Sequence, residues 1–235
     1  MVKYIDIHSH DPVHDPNVIE IIVANIQTLT VAPPITDISV CVGLHPWFIE
    51  DIDFNKFQTI LKHYMASTKF YALGEIGLDK KCIVDYEKQK EIFKAQLELV
   101  NRFRIPRVII HSVKAHSDII HFLKEMHISQ KVLIHDFYAS LETAEQYLKF
   151  DCYFSFGKKI FTNSNAQNAL RSLPKDRIFL ETDDQLDYNI FEIYSEAARL
   201  LQTSESELKE LLFSNYKAFS LQVSDDPSQL KKTAT

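Results

Sequence analysis

Five short apolar runs in this chain each end in a histidine or a carboxylate. Tyr4 to His10 reads Y-I-D-I-H-S-H, Tyr71 to Asp79 reads Y-A-L-G-E-I-G-L-D, and Val108 to Ser112 reads V-I-I-H-S. Val132 to Asp136 reads V-L-I-H-D, and Ile178 to Asp184 reads I-F-L-E-T-D-D. Read as strands, such runs deliver a metal-ligating side chain at each strand end. In the first of them residues i and i+2 face the same side, so His8 and His10 can grip one cation. Strands so far apart in sequence bring these groups together only if the sheet closes on itself, because the ends of one set of strands then surround a single mouth.

The rest of the chain supplies that sheet. Asp11 to Asn17 holds two prolines and reads as a surface loop carrying a solvated His14. Val18 to Leu29 reads as a strand, Thr30 to Asp37 with Pro33-Pro34 as a turn, and Ile38 to Leu44 as a third strand, with no amphipathic helix between these strands. From there the alternation is regular. Helices are expected over Phe54 to Met65, Asp85 to Arg104, His116 to Met126, Leu141 to Lys149 and Asn165 to Ser172, and two more over Tyr188 to Leu201 and Glu205 to Phe219. Strands are expected over Phe70 to Gly74, Arg107 to His111, Lys131 to His135, Cys152 to Phe156 and Arg177 to Thr182. Eight strands mostly alternating with helices predict a (β/α)8 barrel with its first helices shortened or missing. The alternative is an open doubly wound sheet, which does not gather five distant strand ends at one mouth.

A chain of 235 residues, 46% hydrophobic, can bury one sizeable core, so residues 1–222 are expected to form one domain and 223–235 a polar, frayed tail. The net charge of -6 argues against coating nucleic acid by bulk electrostatics, although a local basic groove or bound divalent cations can still hold phosphates. Cys41, Cys82 and Cys152 are odd in number and far apart, which fits a reduced cytosol and neither a disulfide framework nor a thiolate zinc site. No leader pattern or membrane-length apolar run is evident, and nothing demands an obligate protein partner, so a soluble, cytoplasmic protein is expected.

At one mouth, His8, His10, Glu75, His111, His135 and Asp183 make six nitrogen and oxygen ligands with no sulfur. That is enough for two divalent cations, and mixed imidazole and carboxylate suits zinc, manganese or similar ions, with magnesium favoured by carboxylate alone. Glu75 is the best candidate to bridge them, and Asp183 can both ligate and orient or deprotonate a water. His45, in G-L-H-P-W, is a candidate substrate contact at the mouth. His116 opens a helix and either reaches a substrate phosphate or caps that helix. Glu181 shares a strand face with Asp183 and is left outside the ligand set, while His63, His121 and His127 belong to outer helix faces.

In this order the motifs resemble the TatD family of metal-dependent hydrolases over almost the whole chain. They are D-I-H-S-H at the start, G-L-H-P at Gly43 to Pro46, A-L-G-E-I-G-L-D at Ala72 to Asp79, and Q-x-x-x-F-x-x-Q-L at Gln89, Phe93, Gln96 and Leu97. The histidine strands follow, then Y-F-S-F-G at Tyr153 to Gly157, L-E-T-D at Leu180 to Asp183, and N-x-x-x-F at Asn215 and Phe219. The resemblance implies that His8, His10, Glu75 and Asp183 bind one metal and Glu75, His111 and His135 the other, in hydrolysis of DNA phosphodiesters, often from an end. The chain departs from the family where an arginine usually stands two residues after the fifth-strand histidine, since Val113 is there and Lys114 next. Asp136-Phe137-Tyr138-Ala139 replaces the usual C-F-S-G, Asp184-Gln185 replaces the usual continuation after E-T-D, and the segment from His10 to Gly43 is short. The ligands are kept and the substrate surroundings altered. A small phosphoester, ester or amide is therefore the alternative substrate, and a non-catalytic metal-binding homologue the alternative of another class.

Overall fold

The apolar runs form strands that pair in sequence order. In the computed structural model, which describes residues 2–11, 14–25, 38–184 and 187–221, β1 (Tyr4–Ser9), β2 (Val18–Asn25), β3 (Ser39–Gly43), β4 (Phe70–Asp79), β5 (Arg107–Val113), β6 (Lys131–Ile134), β7 (Cys152–Phe156) and β8 (Ile178–Leu180) make one sheet. Every neighbouring pair is parallel and the spatial order is the chain order, which excludes the doubly wound alternative with its reversal of strand order. The sheet nearly closes into a barrel: β1 and the end of β8 meet in a parallel bridge between Ser9 and Asp183, with Asp183 N–H donating to the His8 carbonyl at 2.9 Å and His10 N–H to the Asp183 carbonyl at 3.0 Å.

The outer layer holds α1 (Phe54–Met65), α2 (Tyr86–Phe103), α3 (His116–Glu125), α4 (Leu141–Tyr147), α5 (Ser164–Ser172), α6 (Ile190–Leu201) and α7 (Glu205–Ser220). Their starts follow from side-chain caps. Asp53 accepts from Asn55 and Lys56 N–H, and Asn189 and Ser204 each form a reciprocal capping box with the glutamate three residues on. Among the described residues no helix stands between β1 and β2, as expected. The turn expected over Thr30 to Asp37, the end of the second expected strand and the tail 223–235 lie outside the described residues.

Two strands differ most from expectation. β4 continues five residues beyond Gly74, to Asp79. In that added stretch Gly77 has φ 153°, and a Cβ there would lie 2.0 Å from the His111 carbonyl oxygen. Glycine thus lets β4 run close against β5 beside a ligand-type histidine. β8 is shorter than expected at both ends: Arg177 closes a single 3-10 turn, and Thr182 N–H bonds to the Asp6 carboxylate at 3.0 Å instead of a strand neighbour.

A cluster drawing on all eight strands, including Ile5, Ile21, Cys41, Tyr71, Ile109, Leu133, Tyr153 and Phe179, fills the barrel, and Phe219 of α7 packs against it. The end of α7 thus plugs the N-terminal mouth. Arg107 donates there to the Tyr71 and Ser220 carbonyls at 2.8 and 2.9 Å, and Lys131 to the Ala218 and Leu221 carbonyls at 2.5 and 2.9 Å. Asn215 of α7 donates to the Lys175 and Ile178 carbonyls, fixing the start of β8. The opposite mouth carries the polar groups. No helix among the described residues is long and apolar enough to cross a membrane.

Candidate metal centre

The C-terminal strand ends bring His8, His10, Glu75, His111, His135 and Asp183 together, as the closed sheet requires. The two carboxylate oxygens of Glu75 face different groups. Oε2 lies 3.3 Å from His8 Nε2 and 3.6 Å from His10 Nε2, and both of those nitrogens are 3.5 Å from Asp183 Oδ1. Oε1 lies 2.7 Å from His111 Nδ1, 2.8 Å from His135 Nε2 and 3.2 Å from His45 Nε2. His111 Nδ1 and His135 Nε2 are 3.0 Å apart, and the His8 and His135 rings stack with centroids 4.3 Å apart.

These groups fit cations. Although they are this close, His8 Nε2 and Glu75 Oε1 are buried with no aligned hydrogen-bond partner, a costly arrangement for polar atoms that converge on a common point. Ligand atoms bonded at about 2.0–2.1 Å to one tetrahedral ion stand roughly 3.3 Å apart, which is the range of separations found here. The combinations His8, His10, Glu75 and His8, His135, Asp183 and His45, Glu75, His111 each gather three ligand atoms within 4.8 Å of one another.

The electrostatics show how strongly the groups depend on one another. Burial pushes the Glu75 carboxyl up, yet the surrounding imidazoles of His135, His45, His10 and His111 hold it well below the usual carboxylate range. Burial and His135 press His8 down, but Asp183 and Glu75 raise it to about 9. His135 is likewise buried, and Glu75 and Glu181 raise it well above the ordinary histidine value. Asp183 is pushed up by burial and pulled further down by His8 and His135. It also has φ 58°, a conformation disfavoured for a non-glycine residue, locked by the backbone bridge that closes the barrel.

Sequence reasoning gives Asp79 no role of its own and sets Glu181 outside the ligand set; both stand behind ligating histidines. Asp79 ends β4 buried, with Oδ2 3.4 Å from His111 Nε2 and accepting from Trp47 Nε1 at 2.7 Å. Burial raises its carboxyl, but His111, Trp47 and the Lys81 N–H bring it to about 2. Glu181, left outside the expected set, lies 3.4 Å from His135 Nδ1 and is fully buried. Carboxylates behind ligating histidines orient the rings and raise their basicity. The paired glutamines of α2 explain their motif. Gln89 holds both backbone groups of Asp79, at 2.8 and 3.1 Å, and Gln96 both of Leu44, at 2.8 and 3.1 Å. Each buried amide therefore pins the strand end that carries part of the site.

His45 lies where a substrate contact was expected, lining a cavity of about 310 Å³ with His10, Glu75, His111, His135 and Asp183. Its Nδ1 accepts from Trp47 N–H at 3.2 Å, and burial lowers its pKa, so the neutral ring carries its proton on Nε2 and presents a donor toward Glu75. His116 sits apart from the cavity. Its Nδ1 bonds Ser112 Oγ at 2.9 Å and Tyr147 Oη at 3.2 Å, the ring packs on Phe137 and Tyr147, and Ala115 occupies the cap position of α3. His14, His63, His121 and His127 are exposed, as expected. Lys159 pairs with Asp136 and lies over the Tyr138 ring, so two of the residues replacing the family's C-F-S-G are tied to one lysine.

Comparison with known proteins assigns the chain a family and a fold. A metal-dependent hydrolase of Bacillus subtilis, YabD, described as uncharacterized, is 33% identical over 149 residues, which are 60% of this chain and 56% of that protein. The human 3'-5' RNA nuclease TATDN2 is 31% identical over 148 residues, 60% of this chain and 19% of that much longer protein. Both matches thus span less than two thirds of the relative. The crystal structure of the Escherichia coli TatD homologue YjjV superposes with a TM-score of 0.78 at 22% identity, over 93% of this chain and 98% of that one, a likeness of fold. The model of the family described as TatD related DNase matches residues 18–220, and the chain belongs to this TatD family of metal-dependent hydrolases.

Proposed function

We propose that the protein hydrolyses phosphodiester bonds at the ends of nucleic acid, DNA foremost, with two divalent cations held on either side of Glu75. The observation that supports this best is the division of the Glu75 oxygens between two sets of nitrogens. His8, His10 and Asp183 with Oε2 would hold one cation, and His111 and His135 with Oε1 the other. Zinc, manganese and magnesium are the ions to try, and when bound they supply Lewis acidity toward the ester oxygens and bring water's pKa toward neutrality. Asp183, ionised and partly open to the cavity, orients the attacking water and is the group placed to take its proton. His45 offers its Nε2 proton to a phosphoryl oxygen. The three free cysteines suit a reducing compartment, the cytosol in this reading.

One observation favours a small phosphoester or ester instead: among the described residues, those lining the cavity include no lysine or arginine to grip a phosphate backbone. The two readings part in one assay. Protein stripped of metal is reloaded with magnesium, manganese or zinc and given end-labelled single-stranded DNA, double-stranded DNA and RNA. Metal-dependent release of mononucleotides from the labelled end is expected. Turnover of nitrophenyl phosphate or acetate with no nucleotide released would reject nucleic acid as substrate.

A further inference from the structure

Trp47 is the single tryptophan of the chain and is 50% exposed at the mouth of the cavity. Its freedom is small for so open a residue. The indole Nε1–H donates to the buried Asp79 carboxylate at 2.7 Å, the backbone N–H donates to His45, and the ring stands edge to face with His45 at 5.1 Å and 6.2 Å from His111. Val23, Ala24, Leu44 and Phe48 continue the same wall as an apolar surface. A tryptophan that served packing alone would be covered. This one has its polar edge satisfied from behind and half its surface turned to the opening, beside the histidines of the Oε1 set, which is the form of an aromatic stacking surface.

We infer that Trp47 is the platform on which a nucleobase next to the scissile phosphate stacks, so that the ligand this mouth takes is a nucleotide end with an aromatic base. The inference rests on the phosphodiesterase reading above and deepens it. Stacking takes the place of a lysine or arginine, of which there is none among the described residues lining the cavity: cations would hold the phosphate and the indole the base. Because every base has a π-face, the subsite tolerates all of them and holds an abasic end more weakly.

The sole tryptophan reports on its own occupancy. Intrinsic fluorescence of the metal-loaded protein is titrated with a thymidine trinucleotide made hydrolysis-resistant by phosphorothioate linkages, and with the same probe carrying an abasic terminal residue. Saturable quenching by the first and none by the second is expected. In turnover, Trp47→Ala raises KM for base-bearing DNA on the order of tenfold or more and leaves KM for abasic ends unchanged. Trp47→Phe, which also loses the bond to Asp79, keeps most of the wild-type KM. No quenching while DNA is hydrolysed, or a Trp47→Phe as damaged as Trp47→Ala, would overturn the platform and leave the nuclease reading standing. Quenching with no hydrolysis of any nucleic acid would keep the platform and remove the nuclease reading. If Trp47→Ala does not fold, the wild-type titration and Trp47→Phe still decide.

Discussion

The two mouths of the barrel are made from the same eight strands and differ in what they leave unmet. At the N-terminal mouth, Phe219 closes the aromatic cluster and the cationic ends of Arg107 and Lys131 each find backbone carbonyls of α7 or its end. At the C-terminal mouth, His8 and Glu75 keep buried atoms without aligned partners, and Asp183 is held at φ 58°. One end is saturated and the other is left hungry for a ligand. Stability and chemistry are therefore separable along the barrel axis, and substitutions at the two mouths should fail in different ways.

The largest effect is expected at Glu75. Glu75→Gln removes the carboxylate that faces both sets of nitrogens, so hydrolysis should fall on the order of a thousandfold or more. The thermal midpoint measured with chelator should stay within a few degrees, because in the metal-free protein this glutamate offsets its burial only through its neighbours. A collapse of the fold would break the separation. Phe219→Ala should do the reverse, costing about 3–5 kcal/mol, or roughly 6–20 °C in a chain of this size, while turnover per folded molecule stays near wild type.

His116 tests where the boundary between the two behaviours runs, since it starts α3 on the active side yet is satisfied by Ser112 and Tyr147. Burial lowers its pKa to about 4. Its folded value is below its unfolded one, so the stability linked to its neutral form is fully present above about pH 6.5 and is lost as pH falls toward 4, by up to about 3 kcal/mol. In urea unfolding, the gap between wild type and His116→Gln should narrow from pH 7 to pH 4.5. A constant gap would mean that the ring charges without penalty. Gln96→Leu gives the smallest effect and touches both properties. It leaves the Leu44 backbone N–H and carbonyl unmet, costing about 1–3 kcal/mol, and by loosening the strand end beside His45 it should lower kcat as well.

How much of this was legible depended on whether a residue acts through its own strand or through a distant one. The ligand-bearing strand ends could be read because His8 and His10 share a face and the later runs repeat one pattern. Closure followed from them. The sequence reading stops β4 at Gly74, because the close approach of Gly77 to His111 that carries the strand onward involves another strand and leaves no local signal. Asp79 draws no role from the sequence, and Glu181 only a place outside the ligand set, because both act on the rings of His111 and His135, which belong to other strands. Gln89 and Gln96 stood out as a motif, but only the fold shows that their amides hold the ends of β4 and β3. His116 was read by its place at a helix start, whereas packing against Tyr147 of α4 decides its surroundings.

The central claim is that Glu75 stands between two cations. Crystals grown with manganese, with data collected at its absorption edge, test it directly through the anomalous difference map. Two peaks are expected, one beside Oε2 among His8, His10 and Asp183 and one beside Oε1 between His111 and His135. A single peak, or a second one away from the Glu75 carboxylate, would contradict the account.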